Sequence, residues 1–140
     1  MLKVSIRKVF KKDWDFILKL RNNEKYRDFF YNQDDISKSK HYEYMKKQKT
    51  NPNFFNWIIC YGSHNAGYVR ILDNDVSIML DEKYSNKGIG TIALNLIENE
   101  AKNLGLTKLI GKIMIHNKSS KQIFKKNQYK LKMYWFEKEI

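Results

Sequence analysis

The chain has one cysteine, Cys60, and one proline, Pro52, among 140 residues. A lone cysteine closes no intramolecular disulfide, which excludes a disulfide-stapled scaffold, and its place in an apolar run predicts a buried thiol. With so little proline and only six glycines there is no flexible linker, collagen-like repeat or low-complexity segment. No apolar run approaches the roughly 18 to 20 residues that cross a bilayer, and the Lys-rich start, residues 1–12, lacks the apolar stretch of a signal peptide. A cytoplasmic protein without membrane contact is expected. Acidic residues are also scarce, 15 against 27 Lys and Arg, for a net charge of +12. No helix-turn-helix, zinc-finger or RNA-binding signature accompanies that charge, so nucleic acid is not the expected partner. The abundance of Lys, Ile and Asn is also what an AT-rich coding sequence yields. The charge is uneven: residues 1–50 carry 14 basic against 7 acidic groups, 51–100 carry 3 against 6, and 101–140 carry 10 against 2. An anionic small ligand or acidic substrate fits this pattern better than DNA.

Hydrophobic residues make up 42% of the chain, enough for one core and one domain over residues 1–140. Val4 and Ile6 alternate as a first strand, and Asp13 is placed to cap a helix carrying Trp14, Ile17 and Leu18. A polar and aromatic stretch follows, after which Ser37 caps a second helix with Tyr42 and Met45 on one side. Residues 54–61 read as a strand buried on both faces. Gly62-Ser63-His64-Asn65 and Asp73-Asn74-Asp75 are turns that join it to strands at 66–72 and 76–80 as two hairpins. From Ile89 to Leu104 the apolar spacing becomes helical, and Gly105 supplies the stop. Residues 109–115 return to strand character and should run parallel to 76–80, because a helix crosses between them. Asn117 opens a short last helix, and Tyr129, Leu131, Met133 and Trp135 alternate as a final strand. The fold class is α+β, with an antiparallel front half joined to a parallel crossover in a mixed sheet.

The segment from Ser85 to Thr91, Ser-Asn-Lys-Gly-Ile-Gly-Thr, stands between a strand and the best helix. Its two glycines allow close backbone approach, and the unpaired N–H groups of the first helical turn suit a phosphate. It is neither a P-loop nor a dinucleotide fingerprint, since the Gly-Lys-Ser/Thr ending and the third glycine are absent. Together with Ala66–Ile71 as a third strand and the run from Asn117 to Tyr129, this segment resembles the GNAT N-acetyltransferases. Their acetyl-CoA motif is Q/R-x-x-G-x-G/A, and their last helix carries N-x-x-[AS]-x-x-[LI]-[YF]-x-K-x-G-[FY]. The resemblance implies the GNAT fold, acetyl-CoA as cosubstrate and no metal. It further implies that the amides of Asn86, Lys87, Gly88, Ile89, Gly90 and Thr91, with Ser85 beside them, hold the diphosphate, that the diverging strand ends at Leu80 and Ile115 flank the pantetheine, and that Asn117 hydrogen-bonds the pantetheine or the cofactor's distal half. Three positions depart from the family pattern. Ser85 replaces Arg or Gln, Phe124 stands where many members place a proton-donating Tyr, and Gln128 replaces Gly.

The implied reaction is attack of a neutral amine on a thioester, which needs a proton acceptor. His116, at the end of the fifth strand, is the best-placed candidate, ahead of His41 and His64. The region of the first two helices resembles that of GNAT enzymes acetylating the 4-amino group of UDP-linked sugars in pseudaminic acid synthesis, and less closely ribosomal-protein and polyamine acetyltransferases. That resemblance makes this region, with Arg21, Asn22, Tyr31 and His41, the expected acceptor site, and its basic, aromatic surface suits a sugar diphosphate, with Arg21, Arg27 or Arg70 to meet phosphate and Tyr31, Tyr42 or Tyr68 to pack against uracil or sugar. A non-catalytic CoA-binding module is the alternative that Phe124 favours. The apolar last strand is compatible with a homodimer if it forms a sheet edge.

Overall fold

The structure, a computed structural model, describes residues 3–30, 32 and 34–140, with the side chains of Arg27 and Asp28 outside the description. Five strands lie side by side in chain order: β1 (Val4–Lys8), β2 (Phe54–Tyr61), β3 (His64–Leu72), β4 (Asp75–Leu80) and β5 (Ile110–Gly111). Neighbours are antiparallel through β4, and β4 and β5 are parallel. Helices α1 (Trp14–Arg21) and α2 (Lys38–Gln48) cover one face, and α3 (Ile89–Asn103) and α4 (Lys118–Lys126) cover the other. This two-sided cover explains why β2 is apolar without strict alternation. Ile58 and Cys60 pack towards α1 and α2, while Ile59 and Trp57 pack towards α3 and α4. Cys60 is buried, as the sequence predicts.

The turns follow local chemistry. Asp73 and Asn74 both take positive φ, 50° and 70°, the backbone that a tight hairpin between β3 and β4 requires. Ser37 caps α2 by accepting from the Lys40 amide at 3.3 Å, and Gly105, at φ 81°, ends α3. Gln128, where the family pattern has glycine, sits at φ 68° just after α4. A side chain there costs about 1 kcal/mol and does not unmake the helix end.

Three expectations are corrected. Asp13 does not cap α1 with its side chain. Its carboxylate is buried and takes both nitrogens of the Arg7 guanidinium at 2.9 Å and the Phe10 amide at 2.8 Å, which ties β1 to the start of α1. The fifth strand is shorter than 109–115, since ladder pairing covers only Asp75↔Ile110 and Val76↔Gly111 before the chain diverges from β4. Residues 129–135 form no strand, because among the described residues nothing pairs with them.

Asp13 carries its own prediction. Arg7 holds its carboxyl below the ordinary value of 3.8, opposed by burial. A depressed value means stability that is present above pH 3.8 and lost as pH falls through the folded-state value. Asp13→Asn should lower unfolding free energy by about 2 kcal/mol at neutral pH. In urea titrations the gap between mutant and parent should narrow at acid pH. A gap that is absent at neutral pH, or that widens in acid, contradicts this role.

Candidate active site

The divergence of β5 creates the site. After Val76 the side of β4 that faces β5 has no ladder partner among the described residues, so the backbone of Ser77–Leu80 is open there. A 3₁₀ turn, Glu82–Tyr84, then leads to the loop that opens α3. Gly88 is the N-cap of that helix at φ 81°, a conformation that side chains with a Cβ rarely adopt, and Asn86 precedes it at φ 57°. The first intrahelical bond runs from the Ile92 amide to the Gly88 carbonyl at 3.3 Å. The amides of Ile89, Gly90 and Thr91 therefore face the helix end as donors without helical partners, at the positive end of the dipole. An open strand edge that leads into a helix N-terminus can take an extended, amide-bearing chain ending in phosphates.

The two glycines do different work. A Cβ on Gly90 would lie 2.6 Å from Ile123 Cδ1 of α4 and 3.4 Å from Leu80 Cδ1, so Gly90 lets α3 close on α4 and on the end of β4. Gly88 alone has the strained backbone. Ser85 spends its hydroxyl proton on the Glu82 carbonyl at 2.7 Å, which closes the turn. Asn117 is buried and caps α4 by accepting from the Ser120 amide at 3.2 Å, which engages its Oδ1. Phe124 is buried against Gly111, where a Cβ would meet its ring at 2.4 Å. A phenol does stand beside it, Tyr129, with ring centroids 4.7 Å apart. The Tyr129 hydroxyl is buried without a partner among the described residues, and burial pushes its ionisation up to about 12.

On the other side of the opening, a 3₁₀ segment, Glu24–Phe29, reaches both diverging strands. Lys25 pairs with Glu82 just past β4. Phe29 packs its ring against His116, 5.6 Å between centroids; His116 lies in the turn before α4, five residues past β5, and not at the end of a strand as the sequence suggested. Tyr26 stacks on Phe29 at 6.2 Å, which makes this rim aromatic. Arg21 and Asn22 act on the rim indirectly. Asn22 donates to the Ile36 carbonyl at 2.8 Å and accepts from its amide at 3.0 Å. Arg21 donates to the Asn32 carbonyl, and its guanidinium lies 4.2 Å from the Phe30 ring centroid. Both close the loop between α1 and α2.

Three predicted acceptor residues are placed away from this opening. Tyr68 is in the core under α1 and α2, its hydroxyl accepting from Asn56 at 3.2 Å and its ionisation pushed far up by burial. His41 is buried, donates to the Trp14 carbonyl at 2.8 Å, and is held below its ordinary value by loss of solvent. Arg70 pairs with Asp75 near the opposite end of β4 from Leu80, 3.7 Å to the carboxylate and 3.2 Å to the carbonyl. Tyr31 and the Arg27 side chain lie outside the described residues. Sequence reasoning missed Tyr26, Phe29 and the Lys25–Glu82 pair; Lys25 and Phe29 meet partners 57 or more positions away, which leaves no local pattern. Among the described residues no group of three or more His, Cys, Asp or Glu is arranged to hold a metal, and no helix is long and apolar enough to cross a membrane.

The family model for the acetyltransferase (GNAT) domain matches residues 3–130. A domain from Methanocaldococcus jannaschii superposes with a TM-score of 0.83 at 23% identity, covering 93% of this chain and 90% of that one. The spermidine N-acetyltransferase of Vibrio cholerae, in complex with CoA and spermine, has a TM-score of 0.79 at 15% identity over 88% of this chain and 78% of its own. A predicted acetyltransferase of Clostridium acetobutylicum, solved with acetyl-CoA, has a TM-score of 0.72 at 18% identity over 97% and 96%. At these identities the likeness is one of fold. No curated protein matches the chain.

The two glycines are separable by experiment. Gly88→Val should cost about 1–2 kcal/mol of stability through backbone strain and weaken CoA binding at least about tenfold in calorimetric titration. Gly90→Val should register first in thermal melting, because its methyls meet Ile123. Unchanged CoA affinity in a folded Gly88→Val protein would remove the loop from the binding site.

Proposed function

The chain belongs to the GNAT acetyltransferase family, and on that footing we propose that it transfers acetyl from acetyl-CoA to a primary amine on a nucleotide-linked sugar, in the cytoplasm. Acetyl-CoA, when bound, supplies a thioester carbonyl that an amine can attack. The chain's own residues supply position and proton transfer. The open backbone of Ser77–Leu80 orients the extended arm of the cosubstrate, and the amides of Ile89, Gly90 and Thr91 hold its diphosphate with Lys87 nearby in sequence. Asn117 Nδ2 offers a donor on the β5 side. His116, exposed in the turn between β5 and α4 and packed against Phe29 of the rim, takes a proton from the acceptor amine, directly or through one water. Phe124 has no proton to give, so the departing thiolate takes its proton from solvent or from His116.

One observation carries the site reading: the β4–β5 ladder ends after two pairs, directly before a helix N-terminus with an unfilled first turn. The sugar reading rests on the rim. Tyr26 and Phe29 offer flat apolar faces to a base or sugar ring, and Arg21 carries positive charge at the base of the same loop. A polyamine is the second reading, favoured by Glu82, a carboxylate at the opening that already accepts the Lys25 ammonium.

Thiol release from acetyl-CoA should be followed against a UDP-4-amino-4,6-dideoxy sugar, spermidine, an aminoglycoside and a ribosomal N-terminal peptide. Selective turnover of the sugar is expected. Turnover of spermidine alone would transfer the acceptor role to Glu82, and CoA binding without any turnover would make the chain a binding module. On the preferred amine, His116→Ala should lower kcat about a hundredfold with little change in the KM for acetyl-CoA. An unchanged kcat would exclude His116 as the proton acceptor.

A further inference from the structure

The rim of the opening carries a primary amine of the chain's own. Lys25 stands in the first turn of the 3₁₀ segment Glu24–Phe29 and donates to the carboxylate of Glu82, 57 positions later in the chain. Glu82 begins the turn after β4, just beyond Leu80, where the unpaired backbone of that strand ends. Phe29 of the same segment lies against His116. One short piece of chain therefore sets a lysine beside the end of β4 and a phenyl ring against the imidazole that takes a proton in the reaction above. The Lys25 side chain is 71% exposed and that of Glu82 45%. An ion pair so open to water is weak, and a flexible four-carbon stem lets the ammonium leave it and turn into the opening. Neighbouring lysines are placed differently. Lys83 extends over the Tyr84 ring, 5.5 Å from its centroid, and Lys87 belongs to the loop at the start of α3.

We propose that the protein acetylates its own Lys25 within the same molecule, and that the product frees the rim from Glu82; this rests on the acetyltransferase activity proposed above. Lys25 stands where a cationic acceptor would stand, at a carboxylate that already binds an ammonium. Only the neutral amine has a lone pair to give, so the ammonium must first pass one proton to solvent. Glu82 opposes that loss by hydrogen-bonding the charged form, which holds the Lys25 ionisation above its ordinary value. Reaction therefore follows release from Glu82. The bond from Lys25 Nζ to the acetyl carbon forms as the C–S bond of acetyl-CoA breaks, and the second amine proton ends on the departing thiolate, carried by His116 or water. The resulting amide is neutral and no longer pairs with Glu82 as an ion. One of the two contacts that fasten the rim is then lost, and the Glu82 carboxylate is left uncompensated at the opening.

Peptide mass spectrometry of the full chain after incubation with isotope-labelled acetyl-CoA tests the first part. Lys25 should take the label about tenfold faster or more than Lys46 of α2 and Lys102 of α3, the second of which also pairs with a carboxylate. Excess CoA should suppress labelling at Lys25 and spare the other two, and the fraction labelled per unit time should not change on dilution of the protein. Equal labelling of the three lysines, indifference to CoA, or a rate that falls on dilution would each overturn self-acetylation. Calorimetric titration with CoA separates this from the parent reading: CoA bound with Lys25 unlabelled overturns the present proposal, and no CoA bound overturns the acetyltransferase reading itself. Amide hydrogen exchange tests the second part without acetyl-CoA. In Lys25→Gln, which imitates the neutral product, Glu24–Phe29 should exchange about threefold faster or more. Lys25→Arg keeps the ion pair and should leave exchange as in the parent. Unchanged exchange in Lys25→Gln would overturn release of the rim.

Discussion

The parallel ladder between β4 and β5 stops after Asp75↔Ile110 and Val76↔Gly111, and the rest of the molecule is arranged around that stop. A strand that loses its neighbour leaves backbone donors and acceptors that need another partner. Leu80, at the end of that open stretch, lies against Gly90 in the first turn of α3, which brings the unfilled side of β4 next to the unfilled end of a helix. The split is held by packing on both sides. Phe124 closes down on Gly111 where the two strands still touch. Gly90 lets α3 seat against Ile123 and Leu80 where they have parted.

The same logic explains the first half of the chain. The loop between α1 and α2 is kept in place by Asn22 on both backbone groups of Ile36 and by Arg21 on Asn32. Its 3₁₀ segment touches one diverging strand end through Lys25–Glu82 and the other through Phe29–His116. That segment is thus attached on both sides of the place where β4 and β5 part. The Arg7–Asp13 contact anchors the start of α1 to β1 and so sets where that loop begins.

Much of this was legible in the chain. The hairpin turns, the Ser37 cap and the long helix with its Gly105 stop all rest on local chemistry, and local chemistry can be read position by position. What was not legible depended on which groups the fold brings together. Tyr68 and His41 have the residue types of a binding site, but their burial is decided by how α1 and α2 dock on the sheet. Arg70 has the charge to meet phosphate, yet Asp75 across the hairpin takes it. The strand patterns at 109–115 and 129–135 are real as patterns, and pairing fell short because alternation cannot say whether a neighbour is there.

The central claim is that the open edge of β4 and the start of α3 together hold acetyl-CoA. A titration of ¹⁵N-labelled protein with CoA, followed by amide chemical shifts, tests it most directly. The largest changes should fall on Asn86 through Thr91, on Ser77–Leu80 and on the Asn117 side chain, while amides around Arg7 and Asp13 at the opposite edge of the sheet stay in place. Changes confined to other surfaces, or none at saturating CoA, would contradict the account.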